Sequence, residues 1–518
     1  MRLKSGQLWF IAFTAVFATA AVFIFLGTWS IGISPVMPDC PLPRSENFIS
    51  SWLDGWARSG KFIPDDIRVF LGPPAFWAEL QYVLAAFFAA LGMVYYCRGR
   101  GLPRLAAYGA GLMLAFCGYW FSLFSAGHLG WFRWMTYGVF AFGLADRAVR
   151  KGKWRHWVLL GACVAWASFY QSDLWLLFTV FTSVYFVWCC VRERKLPWKG
   201  ALAGAAVFFI IGAPSFRSAL VGDLKGRDEQ IKSGVTVGAD VKDEDMRRWL
   251  FVTNWSLPPA ESAEFFLPRI NGDTSCPFVL SLGARNRTGV TRYTGALGRP
   301  YKAPAGNYRQ HSLYVGFITL AFALCGLWCG RKKGEVVLFA SAAAVFWLFS
   351  LGRYCEIVYR MVYALPFGDY LRAPVKWHHL TEFCICVLAA YGIAGASRFL
   401  SGAGRYGRFL VPALVLAGVA DIVRVNRLYC APQEISRTYT FVSREQAADV
   451  RFDAQLRAVG GKVAGRCGDL VCIGIPKEKP APRERGPRPA PSFLALLSLA
   501  GTACVSVFAA VSAVRRRR

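Results

Sequence analysis

The sequence predicts an all-α polytopic membrane protein, and three observations lead to that fold class. The composition is 55% hydrophobic over 518 residues, with a mean hydropathy of +0.36, which is too apolar for a soluble globular protein. Apolar windows long enough to cross about 30 Å of hydrocarbon recur along the chain. Basic residues concentrate in every second connection between those windows.

Twelve apolar windows are predicted to cross the membrane, as a core of about eleven spans followed by one C-terminal span. The fifth, sixth and eleventh are short or interrupted by polar residues, so a re-entrant loop is the alternative for each. A cleaved signal peptide is the alternative for the first. The predicted spans are 8–30, 76–97, 105–126, 129–147, 157–172, 174–191, 200–217, 312–330, 335–351, 377–397, 408–423 and 492–514.

The orientation follows from the basic connections, because Lys and Arg near the ends of spans resist translocation. This rule places both termini in the cytoplasm of a bacterial inner membrane and the long connections outside. The basic connections lie within residues 2–4, 98–104, 147–155, 192–199, 331–333, 398–408 and 515–518.

The long connections divide the chain into five parts. Residues 1–217 form an N-terminal transmembrane core, 218–311 an extracytoplasmic loop of mixed structure, and 312–423 a second transmembrane group. Residues 424–491 form a short extracytoplasmic segment that ends in a Pro-rich linker. Residues 492–518 form a C-terminal transmembrane helix with an arginine tail, for which a sorting signal is the alternative.

The net charge of +29 does not indicate nucleic-acid binding, because many of the basic residues lie in short clusters between apolar segments rather than on one folded face. The sixteen cysteines lie mostly inside apolar segments and lack the paired spacing that zinc requires. We therefore predict no metal site and no certain cofactor. A divalent cation that assists catalysis stays open as an alternative.

Four candidate catalytic residues lie near the predicted outer ends of the spans. Asp39 and Asp54 follow the first span, while His128 and Asp173 lie in two outer turns. A carboxylate at such a position can take a proton from an acceptor hydroxyl, or hold a metal ion that does so. The alternatives are a solvated turn residue for Asp39, a helix-end hydrogen bond for His128 and a helix N-cap for Asp173.

Candidate phosphate-binding residues lie in the segment 352–379. Arg353, Arg372, Lys376 and His378 lie at the outer face, where the positive-inside trend does not place basic residues. Guanidinium groups bind phosphate in a bidentate manner, so a lipid-linked phosphate is the predicted ligand. Ordinary phospholipid headgroups are the alternative.

Several fragments, taken in their order along the chain, resemble a known family. They are Asp39 with the following Trp56, Gly60 and Pro64, the Gly-His turn at 127–128, the segment WSLPPAESAEFFLPRINGD, the run RYTGALG and the segment ALPFGDYLRAPVKWHHLTEF. In this order they resemble the YfhO-type bacterial membrane proteins, relatives of the GT-C glycosyltransferases that use polyprenyl-phosphate sugars. The resemblance covers most of residues 1–425.

The resemblance implies a GT-C-like helical core that transfers a sugar on the outer face, from a polyprenyl-phosphate-sugar donor to a glycan, lipid or protein acceptor of the cell envelope. It implies that Asp39 is the catalytic base or a metal-associated acid. Arg372 and Lys376 would hold the carrier phosphate among the membrane lipids. A lipid or solute transporter, a flippase for the same carrier and a non-catalytic envelope scaffold are the alternatives.

Overall fold

Helices dominate the part of the chain that the structure describes. The structure is a computed structural model, and it describes residues 5–25, 33–34, 61, 74–118, 120, 134–170, 172–218, 224–232, 243–268, 312–366, 368–402, 404–427, 433–434, 437–443, 448–460, 462–467, 470–476 and 493–514.

Each of the twelve predicted spans contains one helix, which confirms the helical prediction for the membrane part. Four further helices, α8, α9, α12 and α15, lie in the connections. The helices are α1 (Ser5–Phe25), α2 (Pro74–Gly99), α3 (Arg104–Phe116), α4 (Met135–Lys151), α5 (Trp154–Ser168), α6 (Ser172–Glu193), α7 (Trp198–Ser218), α8 (Leu224–Lys232), α9 (Glu244–Val252), α10 (Phe317–Gly330), α11 (Gly334–Ser350), α12 (Glu356–Tyr363), α13 (His378–Ser401), α14 (Gly404–Asn426), α15 (Val450–Ala458) and α16 (Phe493–Val514).

Six stretches of the described chain are long and apolar enough to cross a membrane, and they lie in α1, α2, α6, α7, α13 and α14. A seventh candidate is the pair of α11 and α12, which meet at a bend of 111°. Shorter apolar helices occur in α3, α10 and α16. The chain is therefore a helical membrane protein, while the predicted number of twelve spans stays a prediction.

Helix α13 is the centre of the bundle. Its residues from His378 to Gly395 are all buried, and it packs against α3, α10, α11 and α14. Its contact with α10 depends on glycine, because a Cβ at Gly326 would collide with the carbonyl of Leu388, and a Cβ at Gly392 with that of Phe322. Small residues of this kind let two membrane helices approach at the level of their backbones.

The described basic connections after α2, α4, α6, α10 and α13 lie at one end of the bundle, which we call the basic-loop end. Arg104 Nη1 donates to Ser5 Oγ at 2.8 Å, which joins the start of α3 to the start of α1. Arg147 Nη2 donates to the carbonyl of Tyr95 at 2.9 Å, which joins the end of α4 to that of α2. The alternation of basic connections in the sequence thus corresponds to one end of the structure.

Short strands occur after α1 and after α14. Strand β1 (Ile33–Ser34) pairs antiparallel with β2 (Gln433–Glu434), which joins the segments that follow these two helices. Strands β3 (Arg437–Ser443), β4 (Lys462–Cys467) and β5 (Leu470–Pro476) form an antiparallel sheet in the order β3-β5-β4. This sheet within 424–491 is not among the elements predicted from the sequence.

Candidate functional site

An ion pair joins the starts of α6 and α13 at the end of the bundle opposite the basic-loop end. Lys376 Nζ donates a hydrogen bond to Asp173 Oδ2, and the two side chains are 7% and 3% exposed. The other carboxylate oxygen, Asp173 Oδ1, accepts from the backbone N–H of Leu174 at 3.0 Å. We call this end the Asp173 end.

Arg227 is a second cation on the same carboxylate. Its Nη2 lies 3.5 Å from Asp173 Oδ2, while Nη1 donates to the backbone carbonyl of Tyr370. Arg227 lies on α8, in the long loop between the two transmembrane groups. Arg227 is not among the site residues predicted from the sequence, because the charged stretch around it has no feature that separates it from a solvated helix.

Arg372 is the third cation of the site. Its guanidinium lies over two aromatic rings, with Cζ 4.0 Å from the centroid of Trp255 and 4.8 Å from that of Phe251. Its Nε is shielded from solvent and has no hydrogen-bond partner among the described residues. Burial and the charge of Arg227 lower the pKa of Arg372 to about 10, although Asp173 acts in the opposite direction.

Among the described side chains of this group, positive charges outnumber negative ones. Arg227, Arg372 and Lys376 carry three positive charges, whereas Asp173 supplies one negative charge within ion-pair distance in the described part of the site. An uncompensated charge in a partly buried place is costly unless a ligand neutralises it. The arrangement can therefore accept an anion, and the phosphate dianion matches an excess of two positive charges.

Two backbone positions next to these cations are strained. Trp255 and Ala373 have φ angles of 61° and 65°, in the left-handed region that non-glycine residues rarely adopt. The segments that contain them are joined, since Ala373 N–H donates to Val252 O at 3.1 Å and Val375 N–H to Trp255 O at 3.3 Å. Each such residue costs about 1–3 kcal/mol, and strain of this kind clusters at binding and catalytic sites.

Helices α8 and α9 are held together by Arg248. Its guanidinium lies 2.9 Å from Asp228 Oδ1 and 3.2 Å from Asp369 Oδ2, so it links both helices to the segment before Arg372. Hydrogen bonds from Lys232 and Arg248 lower the pKa of Asp228. This network fixes α8 and hence the position of the site residue Arg227.

Arg353, a predicted phosphate ligand, donates to backbone carbonyls in the structure. Its Nε and Nη2 lie 3.1 and 3.0 Å from Thr253 O, and Nη2 also lies 3.5 Å from Leu250 O. These carbonyls end helix α9, so the guanidinium caps that helix. Arg353 therefore stabilises the end of α9 beside the site.

His378, the other predicted phosphate ligand, is fully buried in the first turn of α13. Its ring stacks on Phe265 with centroids 4.6 Å apart, and its Nε2 lies 3.3 Å from Glu382 Oε1. The second oxygen of Glu382 accepts from the backbone N–H of Trp120 at 3.2 Å. Glu382 is not among the site residues predicted from the sequence, although a carboxylate inside an apolar helix usually has a specific partner.

Three of the predicted catalytic residues, Asp39, Asp54 and His128, lie outside the described residues. Asp173 is therefore the predicted catalytic residue whose surroundings the structure gives, and it pairs with the predicted phosphate ligand Lys376. In the described ranges, no group of three or more His, Cys, Asp or Glu side chains could hold a metal ion.

An amphipathic helix lies beside the site. Helix α12 turns away from α11 at 111°, with Tyr359 and Val362 buried and Ile357 and Met361 exposed. Tyr359 Oη donates to the carbonyl of Leu371 at 3.3 Å, next to Arg372. One face of α12 is thus packed against the site segment, while the other exposes large apolar side chains.

No known protein family matches the chain by its family model, and no curated protein matches it either. The resemblance to the YfhO-type proteins therefore depends on the ordered fragments of the sequence.

Proposed function

We propose that the chain is a membrane glycosyltransferase of GT-C type. In this proposal it moves a sugar from a polyprenyl-phosphate carrier to a glycan, lipid or protein acceptor of the cell envelope. The observation that carries the proposal is the excess of positive charge at the Asp173 end, where Arg227, Arg372 and Lys376 surround one carboxylate.

The leaving group of this reaction explains the cations. When the glycosidic bond breaks, the carrier phosphate gains negative charge, and preorganised cations stabilise that charge more in the transition state than in the ground state. Arg372 offers a guanidinium backed by two aromatic rings. Lys376 offers a buried ammonium that Asp173 holds in place. The carrier lipid would lie along the exposed apolar face of α12.

The acceptor needs a general base, and we assign that role to Asp39 as the resemblance implies. Both oxygens of Asp173 are already engaged, one by Lys376 and Arg227 and the other by the backbone N–H of Leu174. We therefore revise its proposed role from base to positioning residue for Lys376.

The orientation is part of the proposal. The basic-loop end would face the cytoplasm of a bacterial inner membrane, and the Asp173 end would face outward. A cysteine that replaces Glu229, an exposed residue of α8, should react with a membrane-impermeant maleimide in intact cells. A cysteine that replaces Lys332, exposed at the other end, should react only after permeabilisation. The reverse labelling pattern would show that the Asp173 end faces the cytoplasm and would contradict the proposed orientation.

The reaction itself is tested with the full chain in proteoliposomes, a polyprenyl-phosphate donor with a radiolabelled sugar and a crude envelope acceptor fraction. Asp39→Asn should abolish transfer of label while donor binding is retained, whereas Arg372→Ala should weaken donor binding about tenfold or more. Arg424→Ala is the matched control, since Arg424 is exposed on the last helical turns at the same end.

The alternatives give different results in the same vesicles. A transporter or flippase would move the donor or another solute across the bilayer without transfer of sugar, and Asp39→Asn would not affect a scaffold. Movement of intact donor across the bilayer with no labelled product would therefore contradict the transferase proposal and favour a flippase.

A further inference from the structure

A cavity of about 630 Å³ opens at the basic-loop end, outside the site described above. It lies among the ends of α2, α6 and α13 and the start of α11. Lys376 lies two residues before His378, the first residue of α13, and Arg398 lies in its last turn; the 20 residue steps from His378 to Arg398 span about 30 Å of helix. The cavity and the Asp173 site thus face opposite sides of a bilayer. Its polar lining residues include Arg100, Arg192, Lys333, Glu335, Ser397 and Arg398.

Two charged residues of the cavity lining, Arg100 and Glu335, belong to a network of charges that neutralise one another. Arg100 donates to Glu335 Oε2 at 2.7 Å and to Asp146 Oδ1 at 3.1 Å. Arg150 Nη2 lies 2.6 Å from Asp146 Oδ2. Two guanidinium groups thus meet two carboxylates. Three tyrosine hydroxyls hold the carboxylates in place, with Tyr96 and Tyr391 donating to Glu335 and Tyr185 donating to Asp146.

The outer cations of the cavity have no such compensation. Arg192 lies over the ring of Trp188 at 5.1 Å, and Lys333 lies over that of Tyr391 at 5.2 Å. Arg398 Nε donates to its own helix at 3.3 Å. Among the described residues, no carboxylate lies within ion-pair distance of these three side chains. The rim of the cavity therefore carries three unbalanced positive charges.

A second cavity of about 600 Å³ continues the first, and the two share Pro103, Ser397 and Ser401. It adds Arg98 and Arg104 to the basic lining. The Oγ of Ser397 is shielded from solvent and has no hydrogen-bond partner in the described part of the chain. The Ser397 hydroxyl can donate a hydrogen bond at the junction of the two cavities, and cations surround it. Such a place fits a ligand that accepts hydrogen bonds and is negatively charged.

Exposed tryptophans define the depth of the cavity in the membrane. Trp154, Trp198 and Trp328 are exposed at the start of α5, the start of α7 and the end of α10. Tryptophan at helix ends marks the level of the lipid headgroups. The cavity lies at the ends of neighbouring helices at the same end of the bundle, so a ligand at this depth comes from the headgroup layer.

We propose that this cavity binds the phosphate-bearing headgroup of an anionic membrane lipid, in the leaflet opposite the one that supplies the proposed donor. The phosphate lies at the rim between Lys333 and Arg398, within reach of Arg192. Ser397 donates its hydroxyl hydrogen to the headgroup. Arg100 and Glu335, which line the cavity, are neutralised in a network with Asp146 and Arg150 and do not bind the ligand.

The test uses the purified full chain in an uncharged detergent, titrated with dioctanoyl phosphatidylglycerol, dioctanoyl phosphatidylcholine or inorganic phosphate. The phosphatidylglycerol should bind at least about tenfold more tightly than the other two ligands. Lys333→Gln and Arg398→Gln should each weaken this binding about tenfold. Lys332→Gln should not, since Lys332 is exposed beside the cavity but does not line it.

Three outcomes would overturn the proposal. Equal affinity for phosphatidylcholine would show that charge does not select the ligand. Equal affinity for inorganic phosphate would show that the ligand is a soluble phosphate and not a lipid. Unchanged binding in both Lys333→Gln and Arg398→Gln, with unchanged thermal stability, would show that the lipid binds elsewhere. Loss of donor binding at the Asp173 end has no bearing on this test, because the two sites are separate.

Discussion

Lys376 donates a hydrogen bond to Asp173, a residue 203 positions earlier in the chain, and both side chains are buried. This contact joins the first transmembrane group to the second at the end of the bundle opposite the basic connections. Because Arg227 and Arg372 lie near the same carboxylate, the contact is also the centre of the proposed phosphate site.

Removal of the Asp173 charge should destabilise the protein. In Asp173→Asn the buried Lys376 loses its counter-charge, and breaking a buried ion pair costs about 3–5 kcal/mol. We expect a clear decrease in the thermal unfolding midpoint of the detergent-solubilised protein. Asp228→Asn is the control, because Asp228 is partly exposed in its pairs with Lys232 and Arg248 and should cost about 1 kcal/mol or less. Equal midpoints for the two variants would contradict the importance of the pair.

Arg372→Met should keep or increase stability while it weakens donor binding. The pKa of Arg372 is lowered to about 10, so its charged form is less stable in the folded than in the unfolded protein. The increase in the free energy of unfolding that Arg372→Met brings should be largest below pH 10. It should shrink above pH 10, where Arg372 loses its proton in the folded protein. Unfolding midpoints measured between pH 7 and 11 test this. A large loss of stability at pH 7 would assign Arg372 a structural role.

Gly352→Ala should be strongly destabilising for two separable reasons. Gly352 has φ of 49°, and a Cβ there would collide with Ser256 Oγ and the ring of Pro374. Gly101→Ala isolates the effect of the positive φ angle, because Gly101 has φ of 77° but open space around it. This variant should lose about 1–2 kcal/mol of stability. Gly226→Ala, inside α8 with open space, should gain about 0.5–1 kcal/mol. A different order of the three unfolding midpoints would contradict the packing around Gly352.

Glu335→Gln should destabilise the bundle more than the same change at an exposed ion pair. Glu335 is buried, accepts hydrogen bonds from Arg100, Tyr96 and Tyr391, and its loss would leave Arg100 with one carboxylate. We expect a cost of about 3 kcal/mol. Glu356→Gln breaks an exposed pair with Arg360 and should cost less than about 1 kcal/mol. Similar unfolding midpoints would show that the network contributes little to stability.

The helices of the membrane part could be predicted from the sequence, but their contacts could not. Each apolar window contains a helix because a backbone inside the bilayer must satisfy its own hydrogen bonds. The pairing of Asp173 with Lys376 depends on how two distant helices pack, and hydropathy carries no such information. The same limit applies to Asp146 and Glu335, which lie beside basic connections and become a buried network only when α2, α4 and α11 meet.

The segment around Arg372 shows what local patterns miss. The sequence predicts one phosphate site for Arg353, Arg372, Lys376 and His378, and this stays a prediction; in the structure Arg353 caps α9 and His378 is buried against Phe265. Arg227, which does lie at the site, comes from a helix whose composition is that of an ordinary solvated surface. The left-handed conformations of Trp255 and Ala373 have no signature in a single sequence, since both residue types normally avoid them.

The most direct test of the central claim is photo-crosslinking with a polyprenyl-phosphate sugar that carries a diazirine near its phosphate, followed by mass-spectrometric mapping of the labelled peptides. The account predicts label in residues 224–257 and 352–377, reduced in Arg372→Ala but not in Arg424→Ala. Label confined to the basic-loop end, or the same labelling of 352–377 in Arg372→Ala and wild type, would contradict it.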